Sequence, residues 1–256
     1  MAGPDMKDIV DIKQAVIFAG GRGERLRPLT DAVPKPMAPV NENPFLDYLI
    51  DSLIRVGIRK VLFLVGYKSE IIIKRYRDSL GDTVRFEYSI GLTEDNTGRR
   101  LLNAYDLLDD HFILLYGDNY WPIQFGPMIS LYKKSGAAVL TTVFSNKSGT
   151  GEYGRENNVE VGNDNYVKRY DKDRRSSGLN GVDIGYFLVS KKALDPGTKE
   201  NLSFELSILP EFIARKQLVA YVTDDQYYAI TTLASLKKFE AFARENKVGH
   251  IVLNSV

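Results

Sequence analysis

Three runs of this 256-residue chain, Gln14–Ala19 (QAVIFA), Lys60–Val65 (KVLFLV) and His111–Tyr116 (HFILLY), are almost continuously apolar. Each is closed at once by glycine: Gly20-Gly21, Gly66 and Gly117. A run without polar alternation, stopped by glycine, suits a strand buried on both faces. Between the first two lies Phe45–Val56, apolar at Phe45, Leu46, Leu49, Ile50, Leu53, Ile54 and Val56 and closed by Gly57, which is a helical face. Further helices are expected over Ser69–Arg77, Arg100–Leu108 and Pro127–Lys134, and strands over Val84–Tyr88 and Ala137–Phe144. Strands alternating with helices predict an α/β fold with a mainly parallel sheet. From residue 145 the texture changes. Asn146–Asn165 is rich in Gly, Asn and charge, and is followed by short strands (Tyr166–Asp171, Gly185–Val189), a helix (Phe204–Ala214), a strand (Leu218–Val222) and a last helix (Leu233–Asn246). The apolar stripe of that last helix, Leu233, Leu236, Phe239 and Phe242, reads as core packing. Residues 1–12 read as an N-terminal extension or cloning scar and residues 13–246 as one domain; no internal repeat is visible.

Composition excludes more than it assigns. There is no cysteine and there are only two histidines, His111 and His250. Disulfides, thiolate catalysis, zinc fingers and Fe–S clusters fall away together. A metal, if used, is expected to be a hard cation on carboxylates. Lys and Arg total 34 against 33 Asp and Glu, for a net charge of +1, so a broadly basic nucleic-acid binder is not expected. No apolar run approaches the ~20 residues that span a bilayer, and the start lacks a secretory pattern. The chain therefore reads as a cytoplasmic protein with neither a membrane nor a nucleic-acid partner.

The most informative stretch is Ala19–Val40, AGGRGERLRPLTDAVPKPMAPV. After the first strand, Gly20, Gly21 and Gly23 bring backbone N–H groups close to a ligand. Arg22, Arg25, Arg27 and Lys35 set four cations against Glu24 and Asp31. Exposed N–H groups and fixed cations at the carboxyl end of a strand make a phosphate site. The alternative is a glycine turn with solvated arginines. Two familiar phosphate motifs fail: Leu26 stands where G-x-G-x-x-G needs its third glycine, and no Gly-Lys-Ser/Thr is present.

The stretch GGRGERLRPLT…PKPMAPV resembles the signature of the sugar-1-phosphate nucleotidyltransferases, which join an NTP to a sugar-1-phosphate and release pyrophosphate. The likeness runs over residues 13–240. It implies a Rossmann-like three-layer α/β/α fold with a mainly parallel mixed sheet. A nucleotide-binding part would cover about 13–145 and a smaller sugar-binding part about 146–230, ahead of the C-terminal helix 233–246. It further implies that Ala19, Gly20, Gly21, Arg22, Gly23, Arg25, Thr97 and Gly98 hold the nucleotide. Arg25 and Lys35 would act on the triphosphate, and Asp118 would ligate Mg²⁺. Asn119, Tyr153, Gly154, Asp171, Lys172 and Asp183 would face the sugar phosphate. Charge stabilisation and positioning dominate such transfers, so the shortage of Cys and His is no obstacle.

Two positions depart from the family pattern. Asn96-Thr97-Gly98-Arg99-Arg100 stands where a Gly-Thr-small-Gly-Ala loop is usual, so two arginines either meet an additional anionic group or point outward. Ala229, in Tyr227-Tyr228-Ala229-Ile230-Thr231, replaces the second magnesium-binding Asp, with Asp183, Asp224 and Asp225 as candidate substitutes. PKPMAPV…NPFLDYLI and Val65-Gly66-Tyr67-Lys68-x-Glu70 are similar to the guanylyltransferase branch, which acts on mannose-1-phosphate and heptose-1-phosphates for capsule or lipopolysaccharide. The expected function is thus guanylyl transfer from GTP to a heptose- or mannose-1-phosphate, in a possible homodimer. The alternatives are the same reaction with CTP, UTP or dTTP, or a catalytically impaired regulatory protein that binds nucleotide-sugars.

Overall fold

A computed structural model describes residues 11–77, 79–80 and 83–251. Residues 1–10 of the expected extension lie outside them. Ile12, placed in that extension, is instead buried in the core and belongs to the packed body.

Seven strands form one sheet: β1 (Gln14–Ala19), β2 (Lys60–Val65), β3 (Arg85–Ile90), β4 (His111–Tyr116), β5 (Val139–Phe144), β6 (Val182–Ser190) and β7 (Leu218–Thr223). Their spatial order is β7-β5-β6-β4-β1-β2-β3, and every pairing is parallel except the two made by β6. The helices are α1 (Phe45–Arg55), α2 (Ser69–Tyr76), α3 (Thr97–Asn103), α4 (Phe125–Ser135), α5 (Leu209–Ala214) and α6 (Leu233–Glu245).

Alternation along the strands sorts the core into two layers. Ala15, Ile17, Val61, Phe63, Val65, Ile113 and Leu115 pack with Phe45, Leu49 and Leu53 of α1, Ile72 of α2, Met128 of α4 and Phe239 of α6. Val16, Phe18, Leu62, Leu64, Phe112 and Leu114 pack on the other face with Leu101 of α3, Phe204, and Leu209 and Phe212 of α5. Both faces are covered, which is why the strands read as apolar runs, and the three-layer α/β/α architecture is the expected one. Phe239 of α6 is wholly buried, so this stripe is largely core, although Leu233 is exposed. The segment Phe204–Ala214 is not one α-helix: a π-helical turn over Phe204–Ile208 leads into α5.

Chain order along the sheet positions the site. From β1 the chain steps outward through β2 to β3, then returns to place β4 on the opposite flank of β1. The crevice beyond the carboxyl ends of β1 and β4 is therefore a topological switch point, where open α/β sheets bind ligands. Gly20-Gly21 leaves β1 there, and Gly117-Asp118 leaves β4.

Candidate active site

A cleft of about 300 Å³ occupies that switch point, lined by Phe18–Gly21, Gly23, Lys35, Asp95–Thr97, Arg100 and Tyr116–Asp118. The glycine loop turns through Gly23, whose φ of 63° is left-handed. A Cβ there would also meet Lys35 Cβ at 2.8 Å, so glycine is required. Thr30 donates to Gly23 O at 3.1 Å and Tyr67 donates to Thr30 O at 3.1 Å, tying the loop to the end of β2.

Lys35 enters the cleft on a single 3₁₀ turn, Lys35–Met37, between Pro34 and Pro36. Its Nζ lies 2.5 Å from Asp118 Oδ2, and its side chain is only 12% exposed. An ammonium and a carboxylate thus face one another across the switch point, from the β1 side and the β4 side. This arrangement suits a phosphate chain and a cation.

The sequence-derived residues divide under this geometry. Ala19, Gly20, Gly21, Gly23, Lys35, Thr97 and Asp118 line the cleft together. Arg22 and Arg25 lie outside the lining: Arg22 pairs with Glu94 at 3.2 Å, and Arg25 donates to Tyr153 Oη at 2.8 Å with its side chain 63% exposed. The Arg174 guanidinium stacks on the Tyr153 ring at 4.3 Å, so Arg25, Tyr153 and the half-buried Arg174 form one cluster. Gly98 is buried in α3, with Leu202 O 2.7 Å from the site of a Cβ, and is not among the cleft-lining residues.

Several expected sugar contacts already have partners. Asn119 donates its amide to Ile184 O at 3.0 Å. Asp171 accepts from the backbone N–H groups of Asp173, Arg175 and Ser176, which, with the Ser176 side chain, hold its carboxyl down at about 2. That carboxylate therefore serves its own turn, while Lys172 and Gly154 are exposed. Asp183 Oδ1 accepts from Thr141 Oγ1 and Gly185 N, both at 3.0 Å, and burial pushes its carboxyl up to about 7.

The departures from the family pattern are also resolved. Arg99 donates to Thr198 O at 3.0 Å. Arg100 neither points outward nor waits for a free anion: it is 5% exposed and donates to the carbonyls of Val65, Gly20, Leu92 and Thr93. Ala229 is buried, pairs in register with Asn119, and sits beside Asp118, whose carbonyl accepts from Ile230 N at 2.9 Å. Two of the suggested acids are engaged elsewhere. Asp224 bonds Ser145 and Lys147, and Asp225 bonds Gln124. Both follow β7, three strand spacings or roughly 14 Å from β4, and Asp183 is engaged by Thr141. Among the described residues no group of three or more His, Cys, Asp and Glu could hold a metal.

Sequence reading missed Glu205. Its carboxylate accepts from Tyr116 Oη at 2.5 Å, Thr97 Oγ1 at 2.8 Å and Ser203 Oγ at 2.7 Å. Burial alone would raise this carboxyl, but those donors hold it below its usual value. Burial and the facing Glu205 charge push the Tyr116 phenol well above its usual range, so it stays a donor. Glu205 thereby locks the β4 tip to the N-terminus of α3, the two sides of the cleft. A Ser-x-Glu ahead of an apolar run was the available signal, and it reads locally as a helix start.

A glycine loop, a lysine and a carboxylate converging at the switch point of a mainly parallel three-layer sheet define an α/β nucleotide-binding protein. The family model for nucleotidyl transferases matches residues 14–246, and the chain belongs to that family. It is 28% identical over 219 residues to the D-glycero-alpha-D-manno-heptose 1-phosphate guanylyltransferase of Campylobacter jejuni, covering 85% of this chain and 94% of that one. A 36% identity over 124 residues to the UTP–glucose-1-phosphate uridylyltransferase AglF of Haloferax volcanii covers 48% of this chain, which spans 51% of that protein. Among solved structures, HddC from Yersinia pseudotuberculosis complexed with GMP-PN superposes with a TM-score of 0.74 at 23% identity, covering 89% of this chain and 97% of that one, which establishes the shared fold.

Proposed function

We propose that the chain transfers a nucleotidyl group from an NTP to a sugar-1-phosphate, with GTP as the donor and a heptose- or mannose-1-phosphate as the acceptor. The observation that carries this reading is the convergence of the glycine loop, Lys35 and Asp118 in one cleft at the switch point. A phosphate oxygen of the sugar-1-phosphate attacks the α-phosphorus. A new P–O bond forms to give the nucleotide-sugar, and the bond to the β-phosphate breaks to release pyrophosphate. Lys35 stabilises charge on the α-phosphate, while backbone N–H groups of the glycine loop hold the phosphates. Lys172 and Arg25, both exposed, are the cations assigned here to the incoming sugar phosphate.

Mg²⁺ fits as a passenger on the triphosphate rather than as a resident of a protein cage. Asp118 is the cleft-lining carboxylate bonded to Lys35, and one or two carboxylates with substrate phosphates are a common Mg²⁺ environment. When bound, the cation supplies charge neutralisation to the phosphates. GTP is favoured by the guanylyltransferase names among the relatives matched over most of the chain, including the heptose-1-phosphate enzyme of Aneurinibacillus thermoaerophilus. A probable glucose-1-phosphate cytidylyltransferase of Bacillus subtilis, 27% identical over 87% of this chain, keeps the other bases as outcomes of the test.

Pyrophosphate release with purified protein, Mg²⁺ and a matrix of NTPs and sugar-1-phosphates tests the proposal. Turnover highest with GTP and a heptose- or mannose-1-phosphate is expected; a folded protein silent with every pair refutes it. Silence with retained nucleotide binding would support a second reading, a binding regulatory protein, which Ala229 beside Asp118 favours.

A further inference from the structure

We infer that Arg100 and Asp95 together select the base of the bound nucleotide and that the base they select is guanine. This deepens the proposed reaction and rests on that reading for the presence of a nucleotide in the cleft. Arg100 is a cation 95% removed from solvent whose four bonded partners, Val65 O, Gly20 O, Leu92 O and Thr93 O, are all neutral carbonyls. Its guanidinium lies where side chains at Gly20 and Gly66 would be: Cβ atoms there would meet it at 2.3 and 2.5 Å. The tips of β1 and β2 are thus kept bare to seat it. Those bonds engage Nη1 and Nη2 and fix the plane of the group, which nevertheless lines the cleft.

Its position along the sheet edge matches a nucleoside. Lys35 and Asp118 stand at the end of β4, and the carbonyls that seat Arg100 belong to the ends of β1 and β2 and to the loop after β3. A triphosphate at Lys35 leaves its base one to two strand spacings away, roughly 5–10 Å, over Arg100.

Asp95 supplies the other half. It also lines the cleft, and its Oδ2 and Arg100 Nη1 both converge on Gly91, 2.7 and 3.2 Å from where a Cβ would stand. Leu92 N donates to Asp95 Oδ2 at 2.8 Å, which fixes the carboxylate. A donor fixed beside a carboxylate complements one base edge best. Guanine offers O6 as acceptor next to two donors, N1–H and the 2-amino group. Uracil and thymine match at two of the three places. Cytosine and adenine turn an amino donor toward the guanidinium and an acceptor toward the carboxylate.

Calorimetry with GTP, ITP, UTP, CTP and ATP tests this without any variant. GTP is expected to bind at least about tenfold more tightly than ITP, which lacks the 2-amino group, and more tightly still than CTP and ATP. Asp95→Asn and Arg100→Lys, each checked for an intact fold by circular dichroism, are expected to reduce the GTP-over-CTP ratio by at least about tenfold while sparing the triphosphate contacts. Equal binding of GTP and ITP, or an unchanged ratio in a folded Asp95→Asn protein, overturns the inference. Turnover of another NTP in preference to GTP overturns the guanine choice in the proposed function as well. A GTP preference indifferent to both substitutions leaves that function standing and removes only the roles given to Arg100 and Asp95.

Discussion

Glu205→Gln keeps the shape of the side chain and removes its charge. In the native protein Oε1 accepts from Tyr116 at 2.5 Å, and Oε2 accepts from Thr97 and Ser203 at 2.8 and 2.7 Å. A carboxamide has one acceptor oxygen and two N–H donors. With its oxygen toward Thr97 and Ser203, its nitrogen faces the Tyr116 hydroxyl, whose proton is left without an acceptor. A buried donor left unmet costs about 1–3 kcal/mol, and charge-assisted bonds that become neutral lose roughly half their strength. Relief from burying a charge works in the opposite direction. The depressed pKa of Glu205 shows that the hydrogen bonds outweigh that relief. The net expectation is a loss of about 2–4 kcal/mol, read as a shift of about 1 M in the urea midpoint for a slope near 3 kcal/mol/M. Because the folded pKa lies below the usual 4.5, this difference is full above that pH and shrinks as pH falls through the folded value. A Glu205→Gln midpoint within about 0.2 M of wild type at neutral pH would refute the reasoning.

Other outcomes follow from the same contacts. Lys35→Ala is expected to lower kcat at least about a hundredfold in a pyrophosphate-release assay, the scale of losing one contact to transition-state charge; a near-normal rate contradicts its place at the α-phosphate. Asp183, with its folded carboxyl raised to about 7 from 3.8, binds its proton more tightly when folded, so stability should fall as pH rises between these values. The difference between wild type and Asp183→Asn should therefore slope with pH across that window in thermal melts, by at most about 1.4 kcal/mol per pH unit; parallel curves would show the carboxyl already ionised. Ala229→Asp places a second carboxylate next to Asp118, and calorimetry with a non-hydrolysable GTP analogue should find Mg²⁺ held severalfold more tightly; unchanged affinity would show that position 229 does not reach the cation.

What the sequence exposed and what it hid have physical causes. Burial on both faces removes polar residues from a strand, so β1, β2 and β4 announced themselves, and glycine marked the sheet edge where each ends. Asp118 was legible because it directly follows that edge, and Lys35 because two prolines flank it in a stretch dense in glycine and cations. Glu205 was hidden because its partners Thr97 and Tyr116 lie 108 and 89 residues away and meet it only through the fold. For Asp171 the hidden partners are local: they lie two to five residues on, in a tight turn that engages its carboxylate. For Arg100 the sequence supplied a charge but not a direction, since only packing decides whether a long cation reaches water or backbone carbonyls.

The central claim is that the switch-point cleft moves the α-phosphorus of a nucleotide onto a sugar-1-phosphate. Its most direct test uses GTP labelled at the α-phosphorus, a heptose- or mannose-1-phosphate, Mg²⁺ and the purified chain, with products separated by mass. The account predicts that the label appears in a GDP-sugar with one pyrophosphate released for each, and that Lys35→Ala lowers both together by at least about a hundredfold. Label appearing only in GMP or GDP, or remaining in GTP while calorimetry shows the nucleotide bound, would contradict it.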